Sequence, residues 1–230
     1  MIPKHVAIIL DGNRRFAKRL MLEPWKGHEY GQKKVEEVLE WCKDLGIKEL
    51  TLYSFSIQNF NRPKEEFNYL MNLMQVAFEK FYADKRIEEY KIRVNVIGRY
   101  QLFPKKLVEV IDRIIEKTKD NKGFTINFAL AYGGREEITD AMKKIAEKIV
   151  NGDLRPEDMN EKIIQKNLYM ESEPDLIIRT GGEKRTSNFL MWQSNYSEWF
   201  FIDKTWPEFS KTDLIEILKE YEQRERRFGK

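Results

Sequence analysis

The chain has very little cysteine: Cys42 is the only one among 230 residues. One thiol forms no disulfide within the chain and builds no thiolate metal cluster, which is typical of a protein in a reducing compartment. Apolar runs are also short, and none approaches the roughly 20 residues of a membrane-spanning helix. The first residues lack the apolar core of a secretion signal. We therefore expect a cytoplasmic protein.

An excess of charge of one sign is missing too. The 41 Lys and Arg residues are matched by 38 Asp and Glu residues, which gives a net charge of +3. A protein built around a nucleic-acid backbone needs a much larger cationic surplus, so we expect no nucleic-acid partner. The chain also lacks a glycine-rich loop ending in Gly-Lys-Ser/Thr, which excludes a P-loop kinase or NTPase.

Short apolar runs alternate with longer segments of helical spacing. The predicted strands are 6–10, 49–54, 93–97, 125–129, 175–178 and 199–202. The predicted helices are 31–45, 63–82, 104–118, 136–151, 160–168 and 211–226. This alternation indicates an α/β fold in which helices flank a central, mainly parallel sheet of about six strands. At this length we expect one domain over residues 1–230.

A segment near the carboxyl end has the composition of a diphosphate-binding loop. The apolar residues 176–178 are followed by 179–189, which contains two arginines, a lysine, hydroxyl groups and a Gly-Gly pair. Backbone N–H groups in such a loop, and guanidinium groups such as those of Arg179 and Arg185, bind phosphate oxygens. We therefore predict a strand that ends in an anion-binding loop.

A second candidate anion site follows the apolar run 6–10, at Asp11-Gly12-Asn13-Arg14-Arg15. We expect these polar residues to open a helix whose N-terminal amides favour an anion. Asp11 would repel a phosphate unless a divalent cation lay between them, and Mg²⁺ is usually held by one or two carboxylates plus phosphate oxygens. Two anion sites and one carboxylate predict two phosphorylated substrates and one Mg²⁺ ion.

Asp11, Ser56 and Arg179 each lie just past a predicted strand. Ligands of parallel sheets gather at the carboxyl ends of the strands, so we expect these residues at one edge. The helix predicted over 63–82 has a wider apolar surface than one sheet contact requires. It is either buried on two sides, which the residues alone favour, or a wall of a hydrophobic tunnel beside the sheet. A tunnel next to phosphate sites would suit an isoprenoid diphosphate.

Six blocks together resemble the signature of the cis-prenyltransferases, the undecaprenyl diphosphate synthase family. They are residues 5–15, Gly27-His28, 52–63, Tyr132-Gly133-Gly134-Arg135, 175–192 and 206–209. The blocks run from end to end in the family's order and spacing, so the set is far more specific than any single block. Arg14, where bacterial members usually have glycine, resembles archaeal and eukaryotic members.

The resemblance implies a reaction: successive condensation of isopentenyl diphosphate onto an allylic diphosphate primer, with each new double bond cis. Farnesyl or geranylgeranyl diphosphate is the expected primer. It also implies a Mg²⁺-dependent homodimer of isoprenoid biosynthesis that makes a Z-polyprenyl diphosphate for glycosyl carrier lipids. Such a product implies transient contact with a membrane, so we expect a cytoplasmic enzyme that is peripheral at the membrane during product release.

The resemblance implies residue roles as well. Asp11, Ser56 and Asn59 match the catalytic positions, although a neutral amide is a poor base, so Asn59 is better suited to orienting the reactants. Asp11 and Glu198 match the metal-binding carboxylates. The residues that match substrate-binding positions are Gly12, Asn13, Arg14, Arg15, Phe16, His28, Phe60, Arg62, Arg179, Arg185, Thr186 and Ser187.

These positions divide between two subsites. Residues 12–16 and His28 correspond to the allylic diphosphate subsite, and Arg179, Arg185 and Ser187 to the isopentenyl diphosphate clamp. The tail Arg227-Phe228-Gly229 resembles the element with which family members complete the site of a neighbouring subunit.

One departure from the family pattern keeps alternatives open. Pro24 stands where many members have an arginine four residues before the Gly-His histidine, and Lys26 is the nearby cation. One alternative is a member that makes a short or irregularly joined isoprenoid diphosphate. Another is a non-catalytic subunit that supports a prenyltransferase complex, but such subunits lose the residue that Asp11 matches. A trans-type prenyl synthase is excluded, because no two aspartates are adjacent.

Overall fold

The computed structural model describes residues 2–224. Its strands are β1 (His5–Ile9), β2 (Glu49–Ser56), β3 (Arg93–Ile97), β4 (Thr125–Tyr132), β5 (Leu176–Arg179) and β6 (Glu198–Phe201). They form one sheet in the order β3-β4-β2-β1-β5-β6. Every neighbouring pair is parallel. The predicted six-stranded, mainly parallel sheet is therefore confirmed, and it is parallel throughout.

The central strands are apolar because both of their faces are covered. All side chains of β1 and of β5 are buried. Strands β2 and β4 continue beyond their predicted ends, to Ser56 and Tyr132, because they pair with each other there. The longer β2 carries Ser56 to the carboxyl edge of the sheet, close to the residues that follow β1.

Helices pack against the sheet. They are α1 (Asn13–Arg19), α2 (Gly27–Asp44), α3 (Lys64–Tyr82), α4 (Arg86–Glu89), α5 (Lys105–Thr118), α6 (Gly134–Val150), α7 (Glu161–Asn167) and α8 (Lys211–Gln223). The predicted helices are present with shifted ends. The largest shift is at the start of α2, and α4 is too short for a periodic pattern to reveal. The predicted end of the last helix, residue 226, lies outside the described residues.

Alternating side chains of the strands point to opposite faces and divide the apolar core in two. The larger part contains Ile8 together with residues of α2, α3, α5 and α8, such as Val38 and Leu70. The smaller part lies on the opposite face, around Ala7 and Phe189. Within residues 2–224, no helix is both long and apolar enough to span a bilayer.

An apolar cavity of about 190 Å³ lies on the face of the larger core, between α2, α3 and the sheet. It reaches from Leu10 and Leu130 at the carboxyl edge to Ile92 and Phe124, which precede β3 and β4 at the amino edge. The strand from Phe124 to Leu130 covers about 20 Å, so the cavity runs the depth of the sheet. It lies where the tunnel was predicted, and α3 forms one wall in addition to its packing on α5.

Candidate active site

Asp11 lies just beyond β1, and hydrogen bonds from three segments fix its main chain. Its N–H donates to the carbonyl of Ile9 at 2.9 Å, and its carbonyl accepts from the N–H of Trp206 at 2.9 Å. The same carbonyl accepts from the hydroxyl of Thr180 at 2.8 Å. Thr180 is fully buried. The position of Asp11 therefore depends on the segments that follow β5 and β6 as well as on β1.

The carboxylate of Asp11 meets two guanidinium groups. Oδ2 accepts from Nη2 of Arg179 at 2.8 Å, and Oδ1 accepts from Nη2 of Arg15 at 3.1 Å and from the N–H of Gly12 at 2.6 Å. Burial by itself would raise the pKa of Asp11. The hydrogen bond and charge of Arg179 and the charge of Arg15 outweigh this effect, so the pKa is lowered and the group is ionised at neutral pH.

Arg179 ends β5, and its side chain is only 4% exposed. Besides Asp11, it donates to Oγ of Ser187 at 2.7 Å and to the carbonyl of Arg185. A buried guanidinium needs a paired charge and satisfied N–H groups. Arg179 therefore fixes Asp11 and the loop after β5 relative to each other, as the shared sheet edge predicted.

The loop after β5 differs from the predicted anion-binding loop in one respect. The N–H groups of Gly181 and Gly182 donate to the carbonyls of Lys204 and Ile202, both at 2.8 Å. Both glycines have positive φ angles, 87° and 79°, which glycine adopts without strain. They turn the chain toward the segment after β6. These two amides are therefore not free to bind a phosphate, and the guanidinium groups remain as the predicted donors of this loop.

Arg185 and Thr186 lie at the exposed tip of this loop. The guanidinium of Arg185 is 62% exposed and pairs with Glu183 at 2.5 Å. Glu183 also lies 3.8 Å from Nη1 of Arg15. Arg185 is therefore held only by a surface ion pair, which is weak and readily exchanged for a phosphate.

We call Asp11, Arg15, Arg179, Glu183 and Arg185 the Asp11 cluster. It places three guanidinium groups beside two carboxylates at the carboxyl edge of the sheet. The surplus of positive charge, with one arginine buried and two exposed, suits a bound diphosphate.

A second group of charges, the His28 cluster, comprises Arg14, His28, Arg62 and Glu66. Nη1 of Arg62 donates to Oε1 of Glu66 at 2.8 Å and to Nε2 of His28 at 3.2 Å. Nε of Arg14 lies 3.7 Å from the same oxygen of Glu66, whose side chain is 1% exposed. Desolvation, and then the charges of Arg62 and Arg14, lower the pKa of His28 to about 3, so its ring is neutral.

Ser56 and Asn59 hold each other at the 3₁₀ turn Ile57–Asn61 that follows β2. Oδ1 of Asn59 accepts from the N–H of Ser56 at 3.0 Å, and Oγ of Ser56 accepts from the N–H of Asn59. Because both partners are backbone donors, the two side-chain oxygens serve as acceptors. The amide N–H₂ of Asn59 is the donor group of that side chain, whereas the hydroxyl of Ser56 also meets the side chain of Tyr53. This arrangement agrees with an orienting role for Asn59.

The predicted aromatic positions have different surroundings. Phe60 packs against Phe55, Phe67 and Phe103, with ring centroids 5.4, 5.6 and 5.8 Å apart. It therefore anchors the turn that carries Asn59. Phe16 lies on α1 with its ring 5.2 Å from that of Tyr30.

Asn13 joins the first loop to α2. Its Nδ2 donates to the carbonyl of Leu10 at 3.0 Å, which turns the amide away from the surface. A Cβ atom added to Gly27 would lie 1.9 Å from the carbonyl oxygen of Asn13. Close approach of the two backbones therefore places the start of α2, and with it His28, beside the first loop.

The apolar cavity opens at this edge of the sheet. Asn13, His28, Asn59 and Arg62 line its mouth, and the small side chain of Ser54 lines its wall. Asn13 and His28, two of the predicted allylic positions, and Asn59, a predicted catalytic position, therefore lie at the opening. The predicted isopentenyl clamp lies in the neighbouring Asp11 cluster.

Glu198 does not join Asp11 within one chain. It begins β6 and pairs with Leu176, three residues before Arg179 along the parallel strand. It is therefore about 10 Å below the edge at which Arg179 contacts Asp11. Its carboxylate accepts from Arg224 at 2.8 Å. Arg227, the predicted contributor to a neighbouring site, lies outside the described residues.

Mg²⁺ is bound mainly by carboxylate, phosphate and water oxygens, so the carboxylates near Asp11 decide whether the site fits this ion. Across the described residues, no three His, Cys, Asp or Glu side chains form a ready metal site. Mg²⁺ often takes one or two carboxylates and completes its shell with substrate phosphates and water. Asp11, ionised and 29% exposed, fits that arrangement. The residues are therefore compatible with an ion that binds together with a diphosphate.

The sequence analysis missed three residues that hold the site together. Glu66 orders Arg62, and Thr180 holds the main chain of Asp11. The hydroxyl of Tyr53 lies 3.3 Å from the carbonyl of Ser187. The spacing of Arg62 and Glu66, four residues apart at the start of a helix, is the one sequence signal that points to such a contact.

The sequence is similar to known prenyltransferases over its whole length. The family model described as "Putative undecaprenyl diphosphate synthase" matches residues 9–229. A tritrans,polycis-undecaprenyl-diphosphate synthase (geranylgeranyl-diphosphate specific) from Pyrococcus horikoshii is 50% identical over 232 residues, which cover 100% of this chain and 88% of the relative. An isoprenyl transferase from Thermus thermophilus is 47% identical over 235 residues, covering 100% of this chain and 89% of the relative.

A solved structure agrees as well. The crystal structure of lavandulyl diphosphate synthase from Lavandula x intermedia, in complex with dimethylallyl diphosphate, has a TM-score of 0.93 and 36% identity and covers 100% of this chain and 99% of that one. With these matches, the sequence blocks and the parallel sheet have one explanation. The chain belongs to the undecaprenyl diphosphate synthase family of prenyltransferases.

Proposed function

We propose that this protein is a cis-polyprenyl diphosphate synthase, which condenses isopentenyl diphosphate onto an allylic diphosphate and so makes a Z-polyprenyl diphosphate for a glycosyl carrier lipid. One observation carries the proposal: the cationic His28 cluster lies at the mouth of an apolar cavity that runs the depth of the sheet, and the cationic Asp11 cluster lies beside it at the same edge. A charged head joined to a long apolar chain is the ligand that fits this combination. Membership of the family supports the same reaction.

The allylic primer is assigned to the cavity and its mouth. Its chain lies in the cavity, and its diphosphate meets the guanidinium groups of Arg14 and Arg62. His28 accepts a hydrogen bond from Arg62, so it holds that guanidinium in place. Asn13 lines the same opening, and Gly12, Arg15 and Phe16, which match allylic positions, are assigned to the same diphosphate. Holding the substrate by both ends fixes the reacting carbon, which supplies a large part of the rate.

Isopentenyl diphosphate is assigned to Arg179 and Arg185 of the Asp11 cluster and to Ser187 and Thr186. Arg179 is buried and pre-ordered, whereas Arg185 is exposed and exchanges Glu183 for the diphosphate. The two diphosphates then lie on either side of Asp11. Their chains point toward one another at the cavity mouth.

The chemistry breaks the carbon–oxygen bond of the primer and leaves an allylic cation beside a departing diphosphate. The surrounding guanidinium groups stabilise the charge that develops on the leaving group. The double bond of isopentenyl diphosphate attacks the allylic carbon, and a proton is lost. Ser56 holds Asn59 at the cavity mouth, the amide N–H₂ of Asn59 orients a diphosphate, and a diphosphate oxygen takes the proton.

Mg²⁺ is the proposed cofactor, with Asp11 as its protein ligand. Bound there, the ion supplies positive charge that stabilises the departing diphosphate. Arg179 and Arg15 keep Asp11 ionised, which is the form a ligand requires. Glu198 serves as a second ligand only if another copy of the chain supplies it, because it is far from Asp11 in its own chain.

The proposed primer is geranylgeranyl diphosphate, with farnesyl diphosphate next in preference. The Pyrococcus horikoshii relative is named as geranylgeranyl-diphosphate specific. A cavity of about 20 Å in length is consistent with an extended primer of this kind. We further propose one domain over 1–230 and a cytoplasmic homodimer in which Arg227 completes the partner's site, with membrane contact during product release. Sedimentation tests the dimer.

Irregular joining of two allylic units is a second candidate. The structure with a TM-score of 0.93 is a lavandulyl diphosphate synthase that holds dimethylallyl diphosphate. Lys26, the cation next to Pro24, pairs with Glu29 at 3.0 Å and lies over the ring of Tyr69, away from the Asp11 cluster. A branched product formed from dimethylallyl diphosphate alone would establish this activity.

The chemistry assigned to Asp11 is tested by Asp11→Asn, which keeps its shape and removes its charge. We expect kcat for polyprenyl synthesis to fall by about 100-fold or more, as when a charge-stabilising group is removed from an active site. Asp44→Asn is the matched control, because Asp44 is an exposed aspartate paired with Lys211 away from the site. Near-normal turnover by folded Asp11→Asn would contradict the assignment.

A further inference from the structure

Two ion pairs join α2 to the end of α3 and to α4 along the solvent side of the apolar cavity. Nζ of Lys80 lies 2.8 Å from Oε1 of Glu36, and Nη1 of Arg86 lies 2.5 Å from Oε1 of Glu40. All four side chains line the cavity. Glu36 and Glu40 are one helical turn apart, so the pairs form a row. We call these four residues the latch.

The other walls of the cavity are firmly anchored. The floor consists of sheet residues such as Phe128 and Leu130, which are buried in the main core. On one side, the side chains of Val38 and Cys42, near the middle of α2, are fully buried in the core. On the other, Phe78 of α3 packs edge to face on Phe128, with centroids 5.2 Å apart. The gap between α2 and α3 is therefore the place where the cavity widens most readily.

The cavity is too small for a long product as it stands. Its volume of about 190 Å³ is below the range of about 300–1,000 Å³ found for pockets that hold drug-sized ligands. Each condensation adds five carbons that must be buried in the same space. Because the sheet does not recede, additional room comes from separating α2 from α3, and that motion pulls the latch apart.

Two opposing effects then decide when growth stops. Burying more hydrocarbon favours the longer chain in each round. Exposed ion pairs such as Glu36–Lys80 contribute only about 1 kcal/mol or less each, so the latch adds a small cost to opening the gap and shifts the balance between chain lengths without blocking growth. The latch therefore limits how far the gap opens.

We propose that the latch determines product length: the Glu36–Lys80 pair holds α2 to the end of α3, the Glu40–Arg86 pair holds α2 to α4, and breaking them allows longer polyprenyl chains. This inference rests on the proposed function and adds to it the residues that set the specificity for chain length. These residues lie away from both diphosphate clusters, so they act on the length of the product and leave its chemistry unchanged.

The test uses charge exchange at Glu36 and Lys80, because Arg86 also binds Asp84. Full-length Glu36→Lys and Lys80→Glu proteins are incubated with Mg²⁺, the primer and labelled isopentenyl diphosphate, and the products are resolved by length. We expect each single variant to make a major fraction of chains longer than the longest wild-type product. The double exchange, Glu36→Lys with Lys80→Glu, restores the pair and should return the wild-type distribution.

Asp44→Lys is the matched control. Asp44 ends α2, one turn beyond Glu40, and pairs with Lys211 of α8 at 2.8 Å; its side chain does not line the cavity. It should leave product length unchanged. Wild-type or shorter products from Glu36→Lys, failure of the double exchange to restore length, or equal lengthening by Asp44→Lys would each overturn the proposal. Absence of any polyprenyl product from the wild-type protein would instead refute the proposed function.

Discussion

Single carboxylates order the cations of this site. Asp11 binds the buried Arg179, and Glu66 binds Arg62 and lies close to Arg14. A free guanidinium loses considerable conformational freedom when it binds a phosphate. These pairs order the guanidinium groups before the substrate arrives, and each leaves N–H groups for the ligand.

The low pKa of His28 predicts an acid-dependent stability. The unfolded chain takes up a proton near pH 6.5 that the folded chain accepts only near pH 3, so stability falls as the pH drops through this window. By about pH 4.5, this proton uptake lowers the free energy of unfolding by about 2–3 kcal/mol. We expect His28→Asn to lose less stability than wild type between pH 7 and 4.5, measured by urea unfolding. Identical losses in both proteins would contradict the assignment.

The exposed Arg185 predicts a binding defect specific to one substrate. Removing its guanidinium removes a charge-assisted contact of about 1.5–3 kcal/mol. We therefore expect Arg185→Ala to raise the KM for isopentenyl diphosphate by at least about tenfold, with little change in the KM for the primer. Arg155→Ala is the control, since Arg155 is another exposed arginine paired with a nearby acid. An unchanged KM would remove Arg185 from the clamp.

The sequence predicts some of these residue contacts and not others. Asp11 and Arg179 were expected to meet, because both follow strands of one parallel sheet. Glu66 was missed because its burial depends on how α3 meets α1, which no local pattern encodes. The hydrogen bonds of the Gly181 and Gly182 amides could not be predicted, because their acceptors lie twenty or more residues away, after β6.

At the scale of elements, the start of α2 determines where His28 lies. Gly27 and Gly31 lower helix propensity within its first five residues, which is why the periodic pattern predicts a later start. The helix forms there because the 3₁₀ turn Pro24–Lys26 leads directly into it and its backbone packs on Asn13. Tertiary contact therefore overrides a weak local preference.

This contact predicts a difference between two glycine substitutions. In Gly27→Ala the new Cβ meets the backbone oxygen of Asn13, so we expect a loss of about 1–3 kcal/mol and a lower kcat/KM for the primer. Gly46 has open space around it but a φ of 78°. Gly46→Ala should therefore lose about 1 kcal/mol with unchanged kinetics. Urea unfolding measures the stability of the two variants, and primer titrations measure their kcat/KM. An equal kcat/KM for the primer in both variants would refute this role of Gly27.

At the scale of the whole molecule, one topology brings the parts together. Because every strand is parallel, the turns after β1, β2 and β5 lie at one edge and carry the two charged clusters. Helices α2 and α3 both begin at that edge and run down the sheet, so the cavity between them starts at the clusters. The alternation of strands and helices predicts this layout. The width of the cavity depends on side-chain packing, which the alternation does not determine.

Incubation of the purified protein with Mg²⁺, labelled isopentenyl diphosphate and, in turn, dimethylallyl, geranyl, farnesyl and geranylgeranyl diphosphate tests the central claim most directly. Products are resolved by chain length and double-bond geometry. We predict long chains with cis bonds in every added unit, formed best from geranylgeranyl diphosphate. A branched short product from dimethylallyl diphosphate alone, or label left unincorporated with every primer, would contradict the account.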